Sequence, residues 1–299
     1  MKITAENANR RLDKFLQSYL NTAPKSFIHK MLRKKRIKLN GGKAEGNEIL
    51  IEGDELKFYI SPETINSFQQ ERKIEPAATL TDIIYEDENL LIVNKPTGLP
   101  SQGGMDKPDH LLARLLYHLH KNGAYKTNAT FTPAICNRLD VNTSGLVICG
   151  KTLKSLQETN ALFAQQKVQK EYLAVVEGVI KTKTETLEHY YTKNTKTNTA
   201  EICKQSDTKI ITTYTTQATN KTHSFIKVTP ITGKSHQIRI HLAHIGHPLA
   251  GDKKYGGKPT PYAPAQLLHC HKLTINNQTF TAPPPEGMKK CLHEWFSIN

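Results

Sequence analysis

Nowhere do about eighteen apolar residues run together, which excludes an ordinary membrane-spanning helix. The N-terminus lacks an apolar region followed by a small-residue cleavage site, so a soluble, unsecreted, cytoplasmic protein with no membrane partner is expected. Cysteine is sparse and unpaired in pattern: Cys136, Cys149, Cys203, Cys270 and Cys291 are an odd number with no Cys-x-x-Cys. That argues against a disulfide framework and a zinc knuckle, and reduced thiols are expected. Neither a P-loop nor a dinucleotide fingerprint occurs, so no nucleotide cofactor is expected. Acidic residues are also short, 27 Asp and Glu against 41 Lys and Arg. A net charge of +14 suits displacement of counterions from phosphates, and nucleic acid is the leading partner on charge alone.

The cations are unevenly spread over the 299 residues, a length that holds one large domain or two. Within residues 25–43 stand Lys25, Lys30, Arg33, Lys34, Lys35, Arg36, Lys38 and Lys43, eight cations with no acid among them. Leu12, Phe15, Leu16 and Leu20 recur at helical spacing, and Ser26 is a candidate cap for a second helix with Ile28, Met31 and Leu32 on its core face. A charge run is usually only a solvated face, but this one leaves a helix end for a strand, where it can serve as a phosphate rail. Asn40-Gly41 after Ile37-Lys38-Leu39 marks a hairpin, and Leu56, Phe58 and Ile60 alternate as a strand does. Residues 1–60 thus form a small basic module. Residues 61–79 lack apolar periodicity and read as a linker.

Residues 80–299 read as the catalytic body. Two apolar runs around residues 85–89 suggest a hairpin ending at Lys95-Pro96, with Lys95 a structural or phosphate-facing lysine rather than a catalytic amine. Leu111, Leu112, Leu115, Leu116 and Leu119 mark an amphipathic helix. Residues 156–163 look helical and residues 170–176 look like a strand, on which Tyr172 shares a face with Lys170, Ala174 and Val176. A core tyrosine and a site tyrosine are equally served by that pattern. Residues 181–220, rich in Thr, Lys and Asn, offer short strand pieces and no chemistry. A helix over residues 235–245, capped by Ser235 and stopped by Gly246 and Pro248, puts His236 and Arg239 on one face. His236, His241, His244 and His247 invite a metal reading, but Gly246 places His247 beyond the helix and no thiol or carboxylate stands at ligand spacing. No metal is expected. Gly251-Asp252-Lys253-Lys254-Tyr255-Gly256-Gly257 and Leu268-His269-Cys270-His271 read as structural loops and strand ends.

The stretch at residues 137–151 organises the rest. It carries one carboxylate, Asp140, two residues after Arg138 and ahead of Thr143, Ser144 and Gly145, whose hydroxyls and permissive glycine suit a tight loop. An apolar run at residues 146–149 follows. A single acid held by a rigid loop beside a buried strand is how a nucleophile or general base is presented, although an ordinary turn uses the same residue types.

Arg138-Leu139-Asp140, Thr143-Ser144-Gly145-Leu146 and Lys151 together resemble the signature of the RluA-type pseudouridine synthases. Asn94-Lys95-Pro96-Thr97-Gly98-Leu99, Lys170-Glu171-Tyr172-Leu173-Ala174 and Thr232-Gly233-Lys234-Ser235-His236-Gln237-Ile238-Arg239 resemble the family's other motifs, in its order. The family word usually begins with His where this chain has Asn137, a departure that bears on subgroup and local hydrogen bonding. Arg11-Leu12-Asp13-Lys14-Phe15-Leu16, the basic helix and Gly53-Asp54-Glu55 resemble an S4 RNA-binding domain.

The resemblance implies an α+β body with a mixed, largely antiparallel sheet and a small N-terminal α/β S4 domain. It implies isomerisation of uridine in RNA to pseudouridine without a cofactor. Asp140 would be the catalytic acid, Arg239 its partner and Tyr172 the ring against the target base. Arg138 would occupy the space of the flipped base, and the module's cations would bind RNA. Large-subunit ribosomal RNA is favoured over transfer RNA, and a monomer is expected. The competing classes are a non-catalytic RNA-binding or ribosome-assembly factor and a metal-dependent nuclease built on the histidines.

Overall fold

The structure is a computed structural model that describes residues 1–103, 109–194, 197 and 199–298. Its N-terminal part packs helices α1 (Leu12–Tyr19) and α2 (Lys25–Arg33) on a small antiparallel sheet of β1 (Ile37–Leu39), β2 (Gly42–Lys43) and β3 (Leu56–Phe58), ordered β2-β1-β3. Leu12, Phe15, Leu16, Ile28, Leu32, Ile37, Leu50 and Leu56 form its core, which is the helical and alternating pattern of the sequence made solid. The hairpin turn falls at Asn40 (φ 49°) and Gly41 (φ 76°), the left-handed pair a two-residue hairpin needs. Ser26 does not cap α2. Pro24 is the N-cap residue and Ser26 lies inside the first turn, consistent with proline's preset φ starting a helix without a side-chain acceptor.

The stretch 61–79 is more ordered at its start than a linker pattern suggests. Helix α3 (Pro62–Ser67) begins with Ser61 accepting from the Thr64 amide and Pro62 in the first turn. Phe68 then lies 4.7 Å from Phe27, ring centre to ring centre. A helix of six residues is too short to display apolar periodicity, which is why the pattern missed it.

The body continues with strands β4 (Ile83–Glu86) and β5 (Leu90–Lys95), helix α4 (Leu111–Lys121), strands β6 (Ala134–Ile135) and β7 (Ser144–Gly150), and helix α5 (Leu153–Ala164). Then come β8 (Gln169–Glu177), β9 (Thr184–Asn194), β10 (Thr199–Cys203), β11 (Lys209–Thr219) and β12 (His223–Pro230). Helix α6 (Gln237–His244), β13 (Leu268–Ile275), β14 (Gln278–Thr281) and α7 (Glu286–Phe296) complete it. Among the described residues the body's strands make one sheet in the order β10-β9-β11-β12-β8-β13-β7-β5-β4, with β14 beside β13 and β6 beside β7. Only the β13–β7 pairing is parallel; the fold is α+β with a mixed, largely antiparallel sheet.

One part of the body departs from the sequence reading. Residues 181–220 are not short pieces: β9 and β11 are eleven residues each. Alternating β-branched threonines build them, with Thr184 and Thr186 opposite Thr215 and Thr213. Residues 268–271 form the first half of β13, so the strand end expected there begins at Leu268. The core beneath β5, β7 and α4 gathers Leu91, Ile92, Val93, Leu115, Leu119, Leu146 and Ile148, all fully buried. Among the described residues no helix is long and apolar enough to cross a membrane.

Candidate active site

Asp140 sits in the loop that enters β7, and its neighbours on both sides are tied down through their main chain. Ser101 Oγ donates to Leu139 O at 2.8 Å and accepts from Leu139 N at 3.0 Å. Val141 O accepts from Gly98 N at 2.9 Å and from Lys95 Nζ at 3.0 Å. Lys95 is fully buried, and its Nζ also donates to Pro96 O and Leu99 O. Burial pulls this lysine down to about 7 while Asp140 opposes the shift. Three carbonyl acceptors call for three N–H donors, which only the ammonium supplies. Lys95 is therefore the structural lysine of the two alternatives.

The loop closes on itself where Thr143 N donates to Asp140 O at 3.0 Å. Gly145 then adopts φ 117°, and a Cβ there would collide with the backbone of Cys270, so no side chain fits where β7 meets β13. Ser144 and His269 lock the same junction. His269 Nε2 lies 3.1 Å from Ala282 O and must donate to it, leaving Nδ1 to accept from Ser144 Oγ at 2.9 Å. Asn137 extends the β6 side of the buried strand β7: its Nδ2 donates to Leu146 O at 3.1 Å and its Oδ1 accepts from Ile148 N at 2.9 Å. The amide thus replaces a missing strand neighbour for one residue pair.

Arg239 comes from α6 and joins two carboxylates. Its Nη1 donates to Asp140 Oδ2 at 2.8 Å, while Nε and Nη2 grip Asp252 at 2.7 and 2.8 Å. Burial lowers the guanidinium's pKa, but Asp252 first and Asp140 second outweigh it, and the group is held above its ordinary value. The two acids differ in access: the Asp252 side chain is 1% exposed and that of Asp140 27%. Only Asp140 can meet a substrate.

Helix α6 starts one residue later than the Ser235 capping pattern implies. His236 is the N-cap residue, in the left-handed region at φ 57°, and Ser235 caps nothing. That conformation turns the imidazole into the site. Tyr255 OH accepts from Ala200 N at 3.0 Å and therefore donates to His236 Nδ1 at 2.6 Å. The proton on His236 is thus on Nε2, which lies 3.8 Å from Asp140 Oδ2. Burial lowers the His236 pKa, with Asp140 opposing, which favours the neutral ring. Gln237, buried behind it, ties Thr232, Lys234, Ile211 and Thr212 together, and so fixes the loop ahead of α6.

Tyr172 on β8 pairs with Cys270 on β13, and Cys270 pairs with Gly145 on β7, so Tyr172 stands two strands from the head of the Asp140 loop. It is half-buried, and burial pushes its phenol well above its ordinary value. Arg138 is exposed and makes no hydrogen bond or ion pair among the described residues. The module's cations do not join this cluster. Lys25, Lys30, Arg33, Lys34, Lys35 and Arg36 are exposed, and Lys38 lies over the ring of Tyr59 at 5.3 Å.

Asp252 and Tyr255 join the site from the loop at residues 251–257, whose residue types mark only a structural loop. The four histidines of the metal reading part company: His236 goes to Tyr255, His247 to Glu177 O, and His241 and His244 to the ring of His189. Among the described residues no group of three or more His, Cys, Asp or Glu is arranged to hold a metal ion.

A partly exposed acid, pinned on both flanks and bonded to a buried arginine, is an arrangement suited to acid–base or nucleophilic work. A family model described as RNA pseudouridylate synthase matches residues 89–244. Ribosomal large subunit pseudouridine synthase C of Escherichia coli (strain K12) is 28% identical, the match covering 98% of this chain and 95% of that protein. The protein of the same name from Rickettsia bellii (strain RML369-C) is 32% identical over 90% of this chain and 91% of its own. The structure of human RNA pseudouridylate synthase domain containing 4 agrees in fold with a TM-score of 0.58 at 22% identity, over 71% of this chain and 92% of that one. The chain belongs to the RNA pseudouridylate synthase family, in its RluA-type branch, and is an isomerase that converts uridine in RNA to pseudouridine.

Proposed function

We propose that this enzyme modifies uridines of large-subunit ribosomal RNA, with Asp140 as the catalytic carboxylate. The Asp140–Arg239–Asp252 bridge carries this reading, because it leaves one of two acids exposed and holds the other away from solvent. Relatives named for the ribosomal large subunit match nearly the whole chain and support the choice of RNA.

The reaction breaks the bond from ribose C1' to uracil N1 and forms one from C1' to C5. N1 gains a proton and C5 loses one, so nothing is oxidised and no group is transferred. Asp140, paired with a guanidinium that favours the carboxylate form, acts at the ribose either by adding to it or by removing a ribose proton. Tyr172, half-buried on β8, packs on the detached base. Arg138, exposed and unpaired, fills the stack that the flipped uridine leaves. The cations of residues 25–38 belong to an S4-like module that holds the RNA, and the sheet and helix order of residues 1–60 supports that assignment. A ribosomal RNA substrate puts the enzyme in the cytoplasm, and a site that draws Asp140, Tyr172, Arg239 and Asp252 from one chain needs no second copy, which supports a monomer.

Pseudouridine mapping in ribosomal and transfer RNA from cells with and without the gene tests the substrate. The expected result is loss of modification in large-subunit ribosomal RNA alone. Loss confined to transfer RNA would redirect the assignment.

A further inference from the structure

The N-terminal module is seated on the body by neutral contacts. Arg10 Nη1 donates to Thr130 O at 3.3 Å, Gln157 Nε2 to Asn9 O at 2.8 Å, Thr130 Oγ1 to Asn7 Oδ1, and Arg72 to the carbonyls of Thr127 and Ala129. Between these contacts lies an open cleft of about 570 Å³, lined by Arg10, Arg11 and Lys14 on one wall and by Phe131, Leu153 and Gln157 on the other. No carboxylate lines it.

Its cations are unequally satisfied. Arg11 is held by Asp13 at 3.0 and 3.1 Å, which leaves little of its charge for a ligand. Arg10 has only neutral acceptors, Thr130 O, Lys14 O and Ser18 Oγ, so two of its five N–H groups lack a partner among the described residues. The Lys14 side chain is exposed and makes no hydrogen bond or ion pair there. Burial lowers the Arg10 pKa, and the guanidinium of Arg72, close enough to repel it, adds to the shift. Asp13 acts on Lys14 as well as on Arg11, but Arg10 and Arg72 have no carboxylate partner among the described residues, and the excess of positive charge that remains is relieved by an anion. The apolar wall, Phe131 and Leu153 with Ile49 (57% exposed) at the rim, is surface on which a ribose or base can lie beside that anion. The volume suits a ligand of nucleotide size.

Strand β7 fixes where this cleft lies relative to the chemistry. The Asp140 loop enters it at Ser144, and Leu153 opens α5 just after it ends at Gly150. The strand therefore separates the two places by roughly 20 Å, a span of several nucleotides of RNA. We propose that the cleft between module and body binds the phosphate backbone of the substrate RNA on a flank of the target uridine, with Lys14 and Arg10 as its cations. This contact is separate from the rail at residues 25–38, and the two are tested apart.

The test uses the full chain with two substrates, a ribosomal RNA fragment reaching well beyond that span on both flanks and a short oligonucleotide around the same uridine. Lys14→Glu and Ile49→Glu place a carboxylate in the cleft at positions whose side chains bond to nothing. For each, KM on the long fragment is expected to rise about tenfold with kcat unchanged, and the Lys14 variant should lower the salt slope of binding by about one. The short oligonucleotide should show neither change. Unchanged KM and salt slope on the long fragment overturn the proposal, as does an equal loss on both substrates. A cross-linker on Lys14→Cys guards against a folding defect: RNA captured from the long fragment supports the cleft, and its absence overturns it. Lys34→Glu in the same series reports on the rail alone, so failure there leaves the cleft result standing.

Discussion

Two regions rich in charge treat it in opposite ways. Around Asp140 nearly every polar group has a partner: Ser101, Gly98 and Lys95 hold the flanking main chain, Arg239 bridges two acids, and His269 is satisfied on both nitrogens. Along α2 and just beyond it, the side chains of Lys25, Lys30, Arg33, Lys34, Lys35 and Arg36 make no hydrogen bond or ion pair among the described residues. Paired charge in a half-buried place fixes geometry, whereas unpaired exposed charge is available for exchange with the counterions of a polyanion. Chemistry needs the first and capture needs the second. Arg138 is the exception that joins them, an unpaired cation two residues from the pinned acid.

Short of Asp140 itself, the largest loss on the pinned side is expected from Asp252→Asn. Breaking a buried pair costs about 3–5 kcal/mol, and a misplaced Arg239 should cut the single-turnover rate about a hundredfold. Urea unfolding and single-turnover assays read the two effects. A stable variant with near-normal rate would mean that Asp140 holds Arg239 unaided.

His269 is expected to make the pinned region sensitive to acid. Burial lowers its pKa from 6.5 to about 4. Between those values the unfolded chain binds more protons than the folded one, so stability falls as pH drops through the window, by about 3 kcal/mol for a shift of this size. His269→Gln should be less stable than wild type at pH 7 and lose less between pH 7 and pH 4.5 in denaturant titrations. Parallel curves for the two proteins would place the acid sensitivity elsewhere, with fully buried His241, also lowered to about 4 by burial, the next group to test.

Arg138→Lys separates flipping from loop support. A compact ammonium stacks poorly between bases, so the rate on structured RNA should fall about tenfold more than on a single strand whose uridine is already unstacked. Equal losses would move Arg138 to the structural side of the comparison. The smallest effect is expected from the rail. Replacing Lys30, Arg33 and Lys34 together by Ala should weaken affinity severalfold and lower the salt slope by up to about three, with kcat unchanged. An unaltered slope would show that these cations face solvent only.

What the sequence made legible follows the same division. Asp140, Arg239 and Tyr172 stood out because each sits in a short word whose residues are neighbours in the chain. Asp252 did not, since its tie to Arg239 spans 13 residues and no spacing distinguishes that acid from any other in a Gly-rich loop. Tyr255 was hidden for the same reason, in the same loop at residues 251–257. The β9 and β11 strands were understated because Thr and Lys read as loop residues until the alternation of buried Leu187 and Tyr191, or Ile210, Thr212 and Tyr214, is set against the pleat. Helix α6 was found but its cap was misassigned, because a left-handed His236 has no mark in the sequence and Ser235 has the usual one.

The account rests on Asp140 doing chemistry and the rest of the molecule holding it and the RNA in place. The most direct measurement is tritium release from C5-labelled uridine in ribosomal RNA, made alongside RNA affinity and thermal unfolding, for wild type and Asp140→Asn. The expected result is no detectable release from a variant that folds and binds RNA as wild type does, because no second exposed acid is bonded to Arg239. Release within tenfold of wild type would contradict the assignment.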